Sequence, residues 1–222
     1  MSDHAKKLLF PLVRLLSAPI TRVLARTAIS ANQVTALSLG AGLAALWYLH
    51  LGDHRSVVIG ALFFVVCYIL DNCDGEIARL KNQTSTFGMH FDTFVDWLVN
   101  SGFFAVLGIG YAAISGNDIW AWLGWAGAAG GTINYLLGIL FLVSDRRTDA
   151  EKLIDDPNPA KPEGVFQWFI YIFRELTRAD FCFLVLALSA FDVLWVLLPA
   201  GAIGAQVYWG LLCFKSARKF HS

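Results

Sequence analysis

Long apolar stretches fill most of this chain, separated by short groups of polar and charged residues. About 20 apolar residues in a helix are enough to cross the hydrocarbon core of a bilayer. The pattern therefore predicts an all-α integral membrane protein with six transmembrane helices, over residues 31–51, 56–79, 87–113, 119–143, 179–194 and 195–214. The fifth is the shortest, and a re-entrant segment is an alternative way to divide the last two.

Two further segments mix apolar or aromatic residues with basic ones. Residues 5–26 interleave leucines with lysines and arginines, which is typical of an amphipathic helix lying at the interface of an anionic membrane. A lead-in that faces water is the alternative. Residues 144–178 begin with charges and three prolines and continue with aromatic residues, which predicts a cytoplasmic loop followed by an interfacial segment. We predict one membrane domain over residues 1–222.

The basic residues predict the orientation of the helices. The chain is 57% hydrophobic and has a formal net charge of zero. With the six spans above, sixteen of its seventeen Lys and Arg residues fall on one side of the membrane and only Arg55 on the other. Basic residues remain on the cytoplasmic side. We therefore expect both termini and the turn at residues 80–87 to be cytoplasmic, in a prokaryotic inner membrane, and we expect no nucleic-acid partner.

Four aspartates lie inside the second and third apolar segments: Asp71, Asp74, Asp92 and Asp96. An ionised carboxylate in a bilayer is costly and normally marks a functional site. Four carboxylates that lie together cannot all stay charged unless cations neutralise them. Two divalent metal ions would balance the four charges, and oxygen ligands suit Mg²⁺ or Mn²⁺. The sequence therefore predicts a site for two divalent metal ions.

Helical geometry places these acids on facing surfaces. At 100° per residue, Asp71 and Asp74 lie about 60° apart on one stripe of their helix. Asp92 and Asp96 share one face of the next helix. If the two helices form an antiparallel hairpin that turns near residues 80–87, Asp71 lies level with Asp96 and Asp74 with Asp92. All four acids then occupy a narrow range of depth near the cytoplasmic face.

The spacing of these residues resembles the signature of the CDP-alcohol phosphotransferases, integral membrane enzymes of phospholipid head-group assembly. The matching positions are Asp71, Asp74, Gly75, Ala78, Arg79, Gly88, Asp92 and Asp96. Asn32 and Thr35 are similar to another segment of that family, although Ala31 stands where proline is common. The resemblance implies that a phosphate-linked group passes from a CDP-linked donor to the hydroxyl of an alcohol acceptor, with release of CMP.

The resemblance also implies roles for individual residues. The four aspartates would hold the two metal ions, and Asp96 would also be the catalytic base. The residues implied to bind the donor nucleotide are Asn32, Thr35, Asp71, Gly75, Ala78, Arg79 and Gly88. Among them, Gly75 and Ala78 would let the cytidine approach the helix, and Arg79 would pair with a donor phosphate. Membrane lipid as a partner and a homodimer are implied in the same way.

Two substrate pairs fit this signature. One is CDP-diacylglycerol with a polar acceptor, and the other is a soluble CDP-alcohol with a lipid acceptor such as diacylglycerol or ceramide. Arg146, Arg147 and Arg178 lie on the predicted cytoplasmic side and are candidates for binding a phosphorylated acceptor, which favours the first pair. A cation or proton transporter is the alternative of another class, but it predicts acids spread across the membrane depth.

Overall fold

The computed structural model describes residues 12–143 and 180–218. These residues form seven α-helices and no strand. The helices are α1 (Leu12–Ala25), α2 (Ala31–Leu51), α3 (His54–Leu80), α4 (Thr86–Ser115), α5 (Ile119–Val143), α6 (Phe181–Ala190) and α7 (Leu197–Arg218). Three of them, α2, α3 and α4, are long and apolar enough to cross a membrane. The all-helical prediction is confirmed for the described residues, and a total of six membrane crossings stays a prediction.

Polar side chains and glycines mark the ends of the central helices. Ser30, Asp53 and Ser85 precede α2, α3 and α4, and each accepts a hydrogen bond from a first-turn N–H group. Such caps are worth roughly 1 kcal/mol each. Gly52 and Gly116 end α2 and α4 with φ angles of 77° and 68°, a left-handed backbone that glycine adopts without strain. The turns are therefore short, and consecutive helices run antiparallel.

The α2 helix holds the centre of the bundle together. It contacts both α3 and α4, whereas the backbones of α3 and α4 remain apart from each other. On the outside, α1 and α6 pack against α3, and α5 packs against α4 and α7. The contact between α4 and α5 depends on glycine, because a Cβ atom on Gly124 would lie 2.5 Å from the carbonyl oxygen of Phe104.

Side chains span the gap between α3 and α4 in the antiparallel register expected for the aspartates. The ring centroids of Phe64 and Phe103 are 5.1 Å apart. One turn nearer the acids, the Tyr68 hydroxyl donates a hydrogen bond of 2.8 Å to Oδ1 of Asn100. In two antiparallel helices, residues at the same level have numbers with a constant sum. The sums for these two pairs are close to those of Asp71 with Asp96 and of Asp74 with Asp92. The predicted hairpin is therefore present, with its turn at residues 81–85.

Contacts from distant parts of the chain anchor α1 at both ends. The Asp180 carboxylate is fully buried and accepts hydrogen bonds from the backbone N–H groups of Leu12 and Val13, at 2.8 and 2.9 Å. A carboxylate is favourable at a helix N-terminus. At the other end, Lys81 Nζ donates to three carbonyl oxygens within residues 24–29. The α1 helix lies within the predicted interfacial segment, and its position at a membrane surface stays a prediction.

Candidate active site

Three of the four predicted acids meet between α3 and α4. One carboxylate oxygen from each of Asp71, Asp74 and Asp92 lies within 4.8 Å of the other two. Asp71 and Asp74 belong to successive turns of α3, and Asp92 faces them from the second turn of α4. Asp96, one turn further along α4, is an exposed residue and does not belong to this group. We call Asp71, Asp74 and Asp92 the acid cluster.

The acid cluster has the properties of a divalent metal site. Among the side chains that the structure describes, none of its members forms an ion pair with Lys or Arg. One oxygen, Oδ1 of Asp71, is buried and has no hydrogen-bond partner among the described residues. A buried carboxylate without a partner is costly, and a bound cation removes that cost. The ligands are carboxylate oxygens alone, which suit a hard divalent ion. These residues therefore fit a divalent metal.

Thr35 links α2 to the acid cluster. Its hydroxyl donates a hydrogen bond of 2.5 Å to Oδ2 of Asp74, and both residues are buried. A carboxylate has about four acceptor positions, so one hydroxyl leaves the others free for a metal ion. The bond restricts the rotation of the Asp74 side chain. Thr35 thus holds a member of the acid cluster in place, in addition to its predicted contact with the nucleotide.

A cavity of about 570 Å³ opens beside the acid cluster. Its wall is formed by the first turns of α2, the end of α3, the turn between α3 and α4, and the first turns of α4. The residues predicted to bind the nucleotide that line this cavity are Asn32, Thr35, Gly75, Ala78, Arg79 and Gly88. Asp71, the seventh, is not among the lining residues. The structure therefore gathers six of these seven positions, separated by up to 56 residues in sequence, around one space.

Small residues and the cationic side chain of Arg79 line part of this cavity. A Cβ atom added to Gly75 would meet no side chain closer than Arg79, whose Nη1 atom would be 3.6 Å away. Packing within the chain therefore does not require a glycine at this position. Arg79 is exposed and, in the part of the chain that the structure describes, forms no ion pair. Its guanidinium is available to an anion in the cavity.

The turn between α3 and α4 contributes residues that the sequence analysis missed. Residues 83–86 and Met89 line the cavity. Gln83 also ties the turn to α2, because its Oε1 atom accepts a hydrogen bond of 3.0 Å from the N–H group of Ala31. Residues 83–86 are four consecutive amide or hydroxyl residues between two apolar helices that carry acids. That local composition was the signal available in the sequence.

The predicted acceptor residues Arg146, Arg147 and Arg178 lie outside the described residues, as does the whole segment 144–178. Their roles stay predictions. Asp180, the described residue nearest to Arg178 in sequence, lies at the start of the predicted fifth helix and directly precedes α6. Both of its carboxylate oxygens accept hydrogen bonds from backbone N–H groups at the N-terminus of α1.

The sequence of this chain is similar to those of known proteins. Residues 28–204 match the sequence model of the CDP-alcohol phosphatidyltransferase family, which includes the acid cluster and every residue lining the cavity. The chain is also similar to the CDP-diacylglycerol–serine O-phosphatidyltransferases of two strains of Helicobacter pylori, with 37% identity over 65 residues. That match covers 29% of this chain and 26% of each relative. Since the family match covers most of the sequence and agrees with the signature, this chain belongs to the CDP-alcohol phosphatidyltransferase family.

Proposed function

We propose that this protein transfers the phosphatidyl group of CDP-diacylglycerol to the hydroxyl of a polar acceptor, with release of CMP. The observation that carries the proposal is the convergence of Asp71, Asp74 and Asp92 beside a cavity that holds most of the family signature. The Helicobacter pylori relatives are named for CDP-diacylglycerol and serine, which supports the lipid donor. Such a reaction belongs to phospholipid synthesis in a membrane.

The acid cluster and Asp96 would hold two divalent ions, Mg²⁺ or Mn²⁺. When bound, these ions supply positive charge to the phosphate groups and stabilise the charge that develops during displacement at phosphorus. Thr35 keeps Asp74 in place through its hydrogen bond. Four carboxylates balance two divalent ions, which is why we include Asp96 although it is not a member of the acid cluster. The supporting evidence for a metal is the unpartnered buried oxygen of Asp71.

The remaining signature residues would bind the donor and move a proton. Arg79 would pair with a donor phosphate, and the open space beside Gly75 and Ala78 would accept the cytidine. The cavity lies at the N-terminal ends of α2 and α4, where the helix dipoles favour an anion. Asp96 would take the proton of the acceptor hydroxyl while the hydroxyl oxygen attacks the phosphorus of the phosphatidyl group. The bond between that phosphorus and the oxygen that bridges it to CMP then breaks, and CMP leaves.

A substrate panel tests the donor and the acceptor. The purified protein in lipid vesicles is given CDP-diacylglycerol with serine, glycerol phosphate or inositol phosphate, and CMP release is measured. We expect turnover with at least one of these polar acceptors. The comparison arm supplies a soluble CDP-alcohol with diacylglycerol or ceramide. Turnover in that arm alone would show that the lipid is the acceptor, and the proposed donor would then be wrong.

The same panel tests Arg178 as a phosphate ligand. If the acceptor is phosphorylated, Arg178→Ala should raise its KM roughly 10-fold or more, because a charge-assisted hydrogen bond is lost. The KM of the donor should not change. Arg55→Ala is the matched control, since Arg55 is predicted to lie on the other side of the membrane. Unchanged acceptor KM in Arg178→Ala, with a phosphorylated acceptor in use, would remove Arg178 from the site.

We also propose that the cavity opens to the cytoplasm. Arg79 and Lys81 lie at the cavity end of the α3 and α4 hairpin, and the positive-inside rule supports a cytoplasmic location for that end. The turn at Asn117 lies at the other end of α4, about 45 Å away along the helix axis. A membrane-impermeant maleimide added to intact cells should label Asn117→Cys and spare Gln83→Cys. External labelling of Gln83→Cys would invert this orientation.

A further inference from the structure

A second polar contact crosses the gap between α3 and α4, one helical turn deeper than the acids. The Tyr68 hydroxyl donates to Oδ1 of Asn100 at 2.8 Å. The amide nitrogen of Asn100 in turn donates to the backbone oxygen of Asp96 at 2.9 Å. Tyr68 precedes Asp71 by one turn of α3, and Asn100 follows Asp96 by one turn of α4. Neither residue belongs to the family signature or lines the cavity.

Aromatic rings pack between α3 and α4 on the side of this contact that faces away from the acids. The Phe64 ring lies 5.0 Å from the Tyr68 ring and 5.1 Å from the Phe103 ring, measured between centroids. Phe181 of α6 packs against both phenylalanines, at 6.1 and 5.6 Å. Phe64 and Phe103 have no exposed surface. The hydrogen bond between Tyr68 and Asn100 therefore lies at the boundary between the acids and the apolar core.

The position of this hydrogen bond matters because α3 and α4 do not pack backbone to backbone. Both are held by α2, so the distance between their acids depends on side chains that cross the gap. Three carboxylates within 4.8 Å repel one another and tend to push the two helices apart. A hydrogen bond in a low-dielectric environment opposes that movement, and separating its partners leaves buried polar groups unpaired. Tyr68 and Asn100 are thus placed to limit the gap.

We infer that Tyr68 and Asn100 are positioning residues, which set the distance between the α3 acids and Asp92 and thereby the affinity for the metal ions. The inference rests on the metal site of the proposed function. It assigns no contact with the metal or the substrate to either residue. Tyr68→Phe keeps the ring between Phe64 and Asn100 and removes only the hydroxyl, so it isolates the effect of the hydrogen bond.

Metal binding without substrate provides the test. Mn²⁺ is titrated into the purified protein in nanodiscs, and free Mn²⁺ is measured by electron paramagnetic resonance. We expect Tyr68→Phe and Asn100→Ala each to weaken Mn²⁺ binding roughly 5- to 10-fold. Since Asn100→Ala already breaks the hydrogen bond that Tyr68→Phe removes, the double variant should bind no more weakly than Asn100→Ala. Tyr111→Phe is the control, because the Tyr111 hydroxyl makes no hydrogen bond within the described ranges.

The outcomes separate this inference from the proposed function. Unaltered Mn²⁺ affinity in folded Tyr68→Phe and Asn100→Ala, with normal binding by the parent protein, would overturn the positioning role alone. Additive losses in the double variant would also overturn it, because the two residues would then act independently. Absence of Mn²⁺ binding by the parent protein would overturn both the positioning role and the metal site. Folding of each variant is checked by its thermal unfolding without metal.

Discussion

Asp92→Asn should lose at least roughly 1000-fold in kcat, a cost of about 4 kcal/mol in transition-state stabilisation. Asparagine has nearly the same size as aspartate but lacks the charge that a divalent ion requires. We expect the same result for Asp71→Asn and Asp74→Asn, the other members of the acid cluster. Chelation of divalent metal should abolish the activity of the parent protein, and Mg²⁺ or Mn²⁺ should restore it. The measurement is CMP release at saturating donor and acceptor.

Two controls distinguish a metal-site defect from misfolding. Asp192→Asn alters an exposed aspartate in the turn after α6, outside the acid cluster, and should retain parental activity. The metal-free Asp92→Asn protein should unfold at no lower temperature than the metal-free parent, because one repulsive charge has been removed from the cluster. Full parental activity in excess chelator would exclude a metal-dependent reaction.

Asp96→Asn tests the division of roles among the four aspartates. Because Asp96 is exposed and its side chain lies outside the acid cluster, this variant should retain more Mn²⁺ affinity than Asp92→Asn while losing most of its activity. That combination is the one expected for a base that takes the acceptor proton. Equal losses of Mn²⁺ affinity in both variants would show that Asp96 contributes as much to metal binding as Asp92 does.

Gly75→Val should lower kcat/KM for the CDP-linked donor at least roughly 100-fold, which corresponds to about 2.7 kcal/mol. The added methyl groups would occupy the part of the cavity beside Arg79. No side chain lies closer than 3.6 Å to the new Cβ position, so the variant should fold. Mn²⁺ affinity should stay close to the parental value, because Gly75 does not belong to the acid cluster. The quantities to measure are donor KM, kcat and the Mn²⁺ dissociation constant.

Gly40→Val is the matched control for this substitution. Gly40 is a helical glycine on α2 with no atom within 4 Å of its Cβ position. Both substitutions change the local helix in the same way, and only one of them fills the cavity. Gly75→Ala provides a smaller step in the same direction. A parental donor KM and kcat in Gly75→Val would contradict the assignment of this cavity to the donor.

The sequence alone determined the features that depend on local geometry. Apolar length predicted the helices, and α2 begins and ends at the residues expected from it. The spacing within each helix placed Asp71 with Asp74, because an α-helix repeats every 3.6 residues whatever surrounds it. A short turn then left only one antiparallel register for α3 and α4, so Asp92 was expected to face them. Helical spacing and the length of one turn were therefore enough to predict the cluster of acids.

Only the tertiary structure decided which side chains reach one another across helices. It brought Asp92 into the acid cluster and left Asp96 outside. It also joined Thr35 to Asp74, and Asp180 to the N-terminus of α1. Residues 39 and 168 positions apart carry no periodic signal that links them. Such contacts depend on how whole helices pack, which no local repeat in the sequence encodes.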